Sequence, residues 1–332
     1  MTQSNPTLRG RVMIYGASGY TGRMVARAAV MRGLHPVLAG RDLTRLDALA
    51  GELGLETRIF QPDDDLRQSL SGVAVLLNCA GPFIRTAEPL MQAAIACGLD
   101  YLDISAEIGT YRLADSLASA AAQAGVMLMP GVGWDVVPTD ALVARLAERS
   151  GKPLHIRIAL EVAGGMSRGS AFSAGEIAAE GLLERHDGKL VTKADAAPHA
   201  IDFGEGPVTC LPLSFGDLVT AWHLTGAPNI EMYVNVPDGA FPTGDLSALP
   251  DGPSEEERRA HPARAVVEVT DAEGRVHTGR IETVNGYDFT PLSASAAALR
   301  VLNGARAPGF ATPSQVFGPG FAESIPGTRI IL

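Results

Sequence analysis

Between residues 11 and 130 the chain repeats one unit: a short apolar run, a loop, an amphipathic stretch and a glycine. The runs RVMIY, PVLAG, TRIF, VAVLLN, DYLDI and VMLMP are apolar on both faces, which is how strands buried inside a parallel sheet read. Between them, Met24, Val25, Ala28 and Met31, or Leu90, Met91, Ala94 and Ile95, fall on single helical stripes. Gly33, Gly54, Gly72, Gly98 and Gly125 each stand just past such a stretch, where a left-handed cap carries no Cβ penalty. Strands alternating with helices at this spacing need right-handed crossovers. The fold class expected is therefore α/β, a Rossmann-type doubly wound parallel sheet that binds ligands at the carboxyl ends of its strands.

The loop after the first strand carries Gly16, Ser18, Gly19, Tyr20, Thr21 and Gly22 in a G-x-x-G-x-x-G pattern leading into a helix. Gly16 permits the tight turn, Gly19 lets backbone approach a pyrophosphate, and Gly22 lets helix and strand pack closely. The free amides at the helix start then face the phosphates. After the second strand comes Arg41, where NAD enzymes usually offer a carboxylate to the ribose. A planar guanidinium suits a 2′-phosphate, so NADP is expected before NAD. Asp42 could accept from a 2′-hydroxyl, but N-cap of a helix beginning at Leu43 is the simpler role. Asp63, Asp64 and Asp65 follow the third strand, near an adenine edge or capping the next helix. After the fourth, Cys79, Ala80, Gly81 and Pro82 suit close backbone approach to the cofactor, and Phe83 packs on its ring or in the core.

At 332 residues, two domains are expected. The formal charge of −10 and the lack of any basic run argue against nucleic acid as a partner. No stretch reaches the length of an apolar span, and the N-terminus lacks the pattern of a signal peptide. Three cysteines without C-x-x-C spacing fit a reducing, cytoplasmic setting, and seven scattered histidines give a metal site no support.

The segments YGASGYTGR with LAGRD, NCAGPF followed by EPLMQAAIACGLDYLDISAE, GVGWDVVPTD and GFATPSQVFG together resemble the saccharopine dehydrogenase-like oxidoreductases, including the trans-acting enoyl reductases. GGMSRGSAFSAGE resembles the family's glycine and serine segment more loosely. Ala106 and Trp134 stand where the family usually has glycine and phenylalanine. The resemblance implies an inserted second domain. It divides the chain into residues 1–135, joined by a returning segment 294–332, and residues 136–293, with substrate held between the two. It names no substrate, and the chain is shorter than typical saccharopine reductases.

From about Pro153 the runs HIRIALEVAG, VTCLPLSF, NIEMYVNVP, ARAVVEVT and VHTGRIETV alternate, the last two flanking a DAEG hairpin turn. One helix is expected over roughly Ser173 to His186. An α+β domain on a mainly antiparallel sheet follows, and its uncovered strands suggest a homodimer. Residues 250–264 read as a surface loop or a lid.

Hydride transfer needs a proton or hydrogen-bond donor where charge develops. Asp103 and Glu107 after the fifth strand, and Asp135 beside Trp134 after the sixth, are the candidates, each also able to cap a helix. Ser167, Arg168 and Ser170 could bind a substrate carboxylate or carbonyl, or lie in a solvated loop. His223 and Tyr287 are further possible donors, or buried core residues. No lysine follows Tyr101, Tyr111 or Tyr233 at four residues, which excludes the Y-x-x-x-K arrangement. The leading expectation is NADPH-dependent reduction of a polarised C=C or C=N bond in a small or medium hydrophobic metabolite. A non-catalytic NADP(H) sensor and an amino-acid dehydrogenase are the alternatives, the latter requiring cations in the cleft beyond Arg168 and Arg157.

Overall fold

A computed structural model of the chain describes residues 8–236 and 245–332. Each apolar run of the first part becomes a strand: β1 (Arg11–Tyr15), β2 (Val37–Gly40), β3 (Thr57–Ile59), β4 (Val73–Asn78), β5 (Asp100–Asp103) and β6 (Met127–Met129). They pair in parallel in the order β6-β5-β4-β1-β2-β3. Met13 on β1 faces Val37 on one side and Leu76 on the other. The strand order reverses between β1 and β4, which opens a crevice at their carboxyl ends. Ile14 and Leu38 at the sheet's centre are fully buried, each contributing about 2 kcal/mol of transfer free energy.

The helices over this sheet are α1 (Tyr20–Met31), α2 (Leu43–Leu53), α3 (Phe83–Cys97), α4 (Ile108–Ser116), α5 (Ala118–Gln123) and α6 (Val137–Ser150). Asp42 caps α2 by accepting from the Arg45 amide at 3.1 Å, the simpler of its two expected roles. Gly54 and Gly98 close α2 and α3 in the left-handed region, at φ +67° and +72°. Two local expectations differ. Met31 is 84% exposed, because α1 buries the small residues Ala26 and Ala29 beside Val25 instead. No helix joins β3 to β4. Gly72 follows a run of turns, and Asp64 and Asp65 accept from the Gln61 and Arg67 amides within them.

The second sheet contains β7 (His155–Glu161), β8 (Leu183–His186), β9 (Lys189–Thr192), β10 (His199–Asp202), β11 (Pro207–Pro212), β12 (Asn229–Asn235), β13 (Ala263–Thr270) and β14 (Val276–Thr283). Its order is β10-β11-β12-β7-β13-β14, antiparallel except for the β7–β12 pair. Pro237, the last residue of the NIEMYVNVP run, lies outside the described residues, as do residues 1–7. Among the described residues, three α-helices interrupt these strands: α7 (Arg168–Ala179), α8 (Asp217–Thr225) and α9 (Glu255–Ala260). α6 packs on β13 and β14, and α8 on β12.

The helix expected over Ser173–His186 therefore starts earlier and ends sooner. Ser167 caps it, accepting from the Ser170 amide, and the residues after Gly181 form the β8–β9 hairpin. Asp187 and Gly188 turn that hairpin at φ 48° and 77°. Within residues 250–264, α9 replaces the expected loop, held by a Ser254–Glu257 capping box.

The chain returns through α10 (Gly286–Leu302), which packs along α1, and adds β15 (Gly309–Phe310) in parallel beside β6. α11 (Pro313–Phe317) follows, and β16 (Arg329–Ile331) pairs with β14. The return segment thus extends both sheets. Among the described residues, no helix is long and apolar enough to cross a membrane.

Candidate functional site

The glycine loop after β1 is drawn tight by its own backbone. Gly16, at φ +80°, accepts from the Gly19 amide at 3.0 Å and donates to the Ala39 carbonyl at 2.8 Å. A Cβ on Gly16 would lie 2.8 Å from the Ala80 backbone, so the loops after β1 and β4 touch at the point where the strand order reverses. Gly19 stands before α1 without a side-chain cap, and the first turn carries no acidic residue. The leading amides of α1 and its dipole are therefore arranged for an anion. Ser18 accepts from Arg23 through its carbonyl at 2.9 Å, and Thr21 faces the cleft.

Arg41 is exposed at the end of β2. Its charge reaches the Tyr15 hydroxyl, as do those of Asp63 and Asp64, while burial pushes that hydroxyl up to about 12. After β4, Ala80 donates to the Asn78 side chain at 2.9 Å, and the Gly81–Pro82 peptide is cis. Cys79, Gly81 and Phe83 line the cleft, and burial pushes the Cys79 thiol well above its ordinary range.

That cleft lies where the carboxyl ends of the first sheet meet the second domain, and encloses about 1310 Å³ including its open mouth. Glu107, Trp134 and Asp135 form one wall; Glu161, Phe215 and Tyr287 belong to the other. Glu107 is 3% exposed. Its side chain does not cap α4. It accepts instead from the Ser173 hydroxyl on α7 and from the Ala106 amide. Asp135 faces the same space, where burial and then the Glu107 charge raise its carboxyl to about 6. Neither Asp135 nor Thr139 caps α6; the Thr139 hydroxyl donates to the buried Asp217.

The expected catalytic set is thus brought together only in part. Asp103 is fully buried behind the cleft wall, its oxygens taken by the Ser105 amide and hydroxyl, the Gly131 amide and the Tyr101 hydroxyl. It is a knot between the ends of β5 and β6, and is not among the residues that line the cleft. Arg168 also leaves the cleft: it donates to the Leu249 carbonyl at 3.0 and 2.7 Å and pairs with Asp251. Arg157 is spent on Glu268 at 2.6 Å, and His223 on Asp115 at 3.0 Å.

Tyr287, expected as a possible donor or a core residue, lines the cleft with its ring edge-on to Tyr20 at 5.5 Å. It accepts from the Ser167 amide at 2.8 Å and donates to the Ser170 hydroxyl at 2.9 Å. Ser167 and Ser170 are therefore the start of a helix fastened to α10, and both still line the cleft. Sequence reasoning passed over Ser173 and Glu161. Ser173 lies six residues beyond a capping serine, a spacing that puts it two turns into the helix. Among the described residues, no lysine, arginine or histidine lines the cleft.

Residues 12–129 match the family model of the saccharopine dehydrogenase NADP binding domain. The resemblance read from the sequence therefore holds over the glycine loop and strands β1 to β6 of the first sheet. A mitochondrial saccharopine dehydrogenase-like oxidoreductase of Arabidopsis thaliana is 30% identical over 159 residues, 41% of this chain and 35% of that protein. A trans-acting enoyl reductase of Mycobacterium tuberculosis is 30% identical over 149 residues, 42% of this chain and 36% of that protein. The match thus spans about a third of the length of these relatives. The apo saccharopine dehydrogenase (L-Glu forming) of Saccharomyces cerevisiae has a similar fold, with TM-score 0.61 and 14% identity over 97% of this chain and 100% of that one.

Proposed function

Taking the first sheet and its helices as an NADP-binding domain of the saccharopine dehydrogenase type, we propose that the chain is an NADP(H)-dependent oxidoreductase. Its reaction is the reduction of a polarised C=C or C=N bond in a small or medium, largely apolar metabolite. The carrying observation is the contact of Gly16 with Ala80 beside a cleft that holds both carboxyls, Glu107 and Asp135. The residues fit the cofactor. The Gly16–Gly22 loop leaves room and amides for a pyrophosphate, Arg41 stands exposed at the ribose end, and Cys79, Gly81 and Phe83 border the cleft where a nicotinamide would enter.

Bound there, the cofactor supplies hydride. The chain's own part is to exclude water with Trp134, Phe215 and Phe83 and to hold a proton. Asp135 keeps one near pH 6, because burial opposes its charge and Glu107 adds to that opposition. It is the proposed donor to the atom on which negative charge develops. Glu107, fixed by Ser173 from the second domain, sets that field.

The bare cleft disfavours an amino-acid substrate. A dicarboxylate needs converging cations, and Arg168 and Arg157 are both committed elsewhere. This reading gives residues 1–135 and 294–332 to the cofactor and 136–293 to the substrate. It places the protein in the cytoplasm, as a homodimer joined through the second sheet. Purified protein with NADPH, screened against enones and imines, tests it: consumption of NADPH with at least one class is expected. Binding of NADPH without turnover of any would mark a sensor instead.

A further inference from the structure

Three guanidinium groups from three separate elements converge on one carboxylate. Arg23 on α1 and Arg45 on α2 approach Asp251 Oδ2 at 3.4 and 3.5 Å, and Arg168 at the start of α7 approaches Oδ1 at 3.5 Å. Asp251 belongs to a strap leading into α9 that lies across the glycine loop. Tyr20 donates to the Pro253 carbonyl at 2.5 Å, and Arg258 donates to the Tyr20 hydroxyl at 2.8 Å. A Cβ on Gly252 would come within 2.6 Å of the Tyr20 ring. A small cavity bordered by Ser18, Arg23, Arg27 and Arg45 opens beside this cluster. Within it, Glu52 is already paired with Arg27 at 2.8 Å.

Four facts bear on what this cluster holds. One carboxylate faces three cations, so positive charge is in excess. The three approaches are long for ion pairs, and the side chains are 29% to 50% exposed, so Asp251 is held weakly. Arg45 lies one turn into the helix that Arg41 precedes, at the adenosine end of the site. Arg168 comes from the second domain, so the cluster spans both.

We propose that Arg23, Arg45 and Arg168 join Arg41 in seating the cofactor's adenosine 2′-phosphate, for which Asp251 is a built-in competitor. The inference rests on the NADP(H) reading above. A phosphate monoester dianion carries more charge than a carboxylate and accepts from several guanidinium forks at once. It displaces Asp251, freeing the strap from α1 and α2, while Arg168 carries the change to α7 and the cleft.

Calorimetric titration of wild type, D251N and R45A with NADPH and with NADH tests this. D251N should bind NADPH about fivefold more tightly than wild type, the weight of displaced exposed ion pairs, with NADH unchanged. R45A should lose about tenfold in NADPH affinity and none for NADH. Equal shifts for both dinucleotides in D251N, or no shift for either, would overturn the competition. Failure of wild type to bind either dinucleotide is a separate result, and sinks the NADP(H) reading itself.

Discussion

A Cβ on Gly22 would stand 2.1 Å from the carbonyl oxygen of Gly16. Two turns of chain, one closing the loop and one opening α1, therefore share space that only a glycine leaves. Gly22→Ala must push loop and helix apart, at a cost of about 1–3 kcal/mol. A lower melting midpoint and NADPH affinity reduced about tenfold or more are expected together. Gly51, inside α2 with nothing within 4 Å of its Cβ position, is the contrast. Gly51→Ala should stabilise by about 0.5–1 kcal/mol and leave binding unchanged.

Asp135 sets the expected pH dependence of reduction. Its carboxyl is raised to about 6 by burial and by Glu107. A donor must be protonated, so the rate should fall as pH rises through about 6. Asp135→Asn should flatten that limb and lower kcat by about 10²–10⁴. A full limb surviving in the variant would move the proton donor elsewhere.

The alternation of strands and helices, the glycine loop, the Asp42 cap and the DAEG hairpin were all legible in the residues, because each is fixed by neighbours in sequence. The β8–β9 hairpin carries a turn signal in Asp187-Gly188, yet the expected helix ran through to His186. Asp103 and Arg168 could not be placed. Both stand at the ends of elements where ligands gather. Whether such a side chain enters the cleft depends on partners far along the chain, here Gly131 for one and Asp251 for the other. The strap over Tyr20 is a contact across more than two hundred residues, which no local pattern encodes.

Asp103 should matter to stability more than to chemistry. Asp103→Ala leaves the Ser105 and Gly131 amides and the Tyr101 hydroxyl without their buried acceptor. A loss of about 2–4 kcal/mol is expected in denaturant unfolding. At a temperature where the variant is folded, the pH profile of reduction should keep its wild-type shape, which a donor's removal would not.

In the second sheet, Glu231 is held well below the usual carboxylate range by His155, Lys193 and Tyr233. A lowered folded-state pKa stabilises above the ordinary value of 4.5, and that stability is lost as pH falls below it. Glu231→Gln should cost about 1–2 kcal/mol near neutral pH, with the deficit shrinking in acid. Unfolding midpoints measured across pH for both proteins check the sign. A deficit that grows in acid would refute it.

The account depends most on the glycine loop and Arg41 accepting a phosphorylated dinucleotide. Titration of the folded wild-type protein with NADPH and NADH addresses this directly. Saturable binding of NADPH, tighter than that of NADH, is the predicted result, and a folded protein that takes up neither contradicts it.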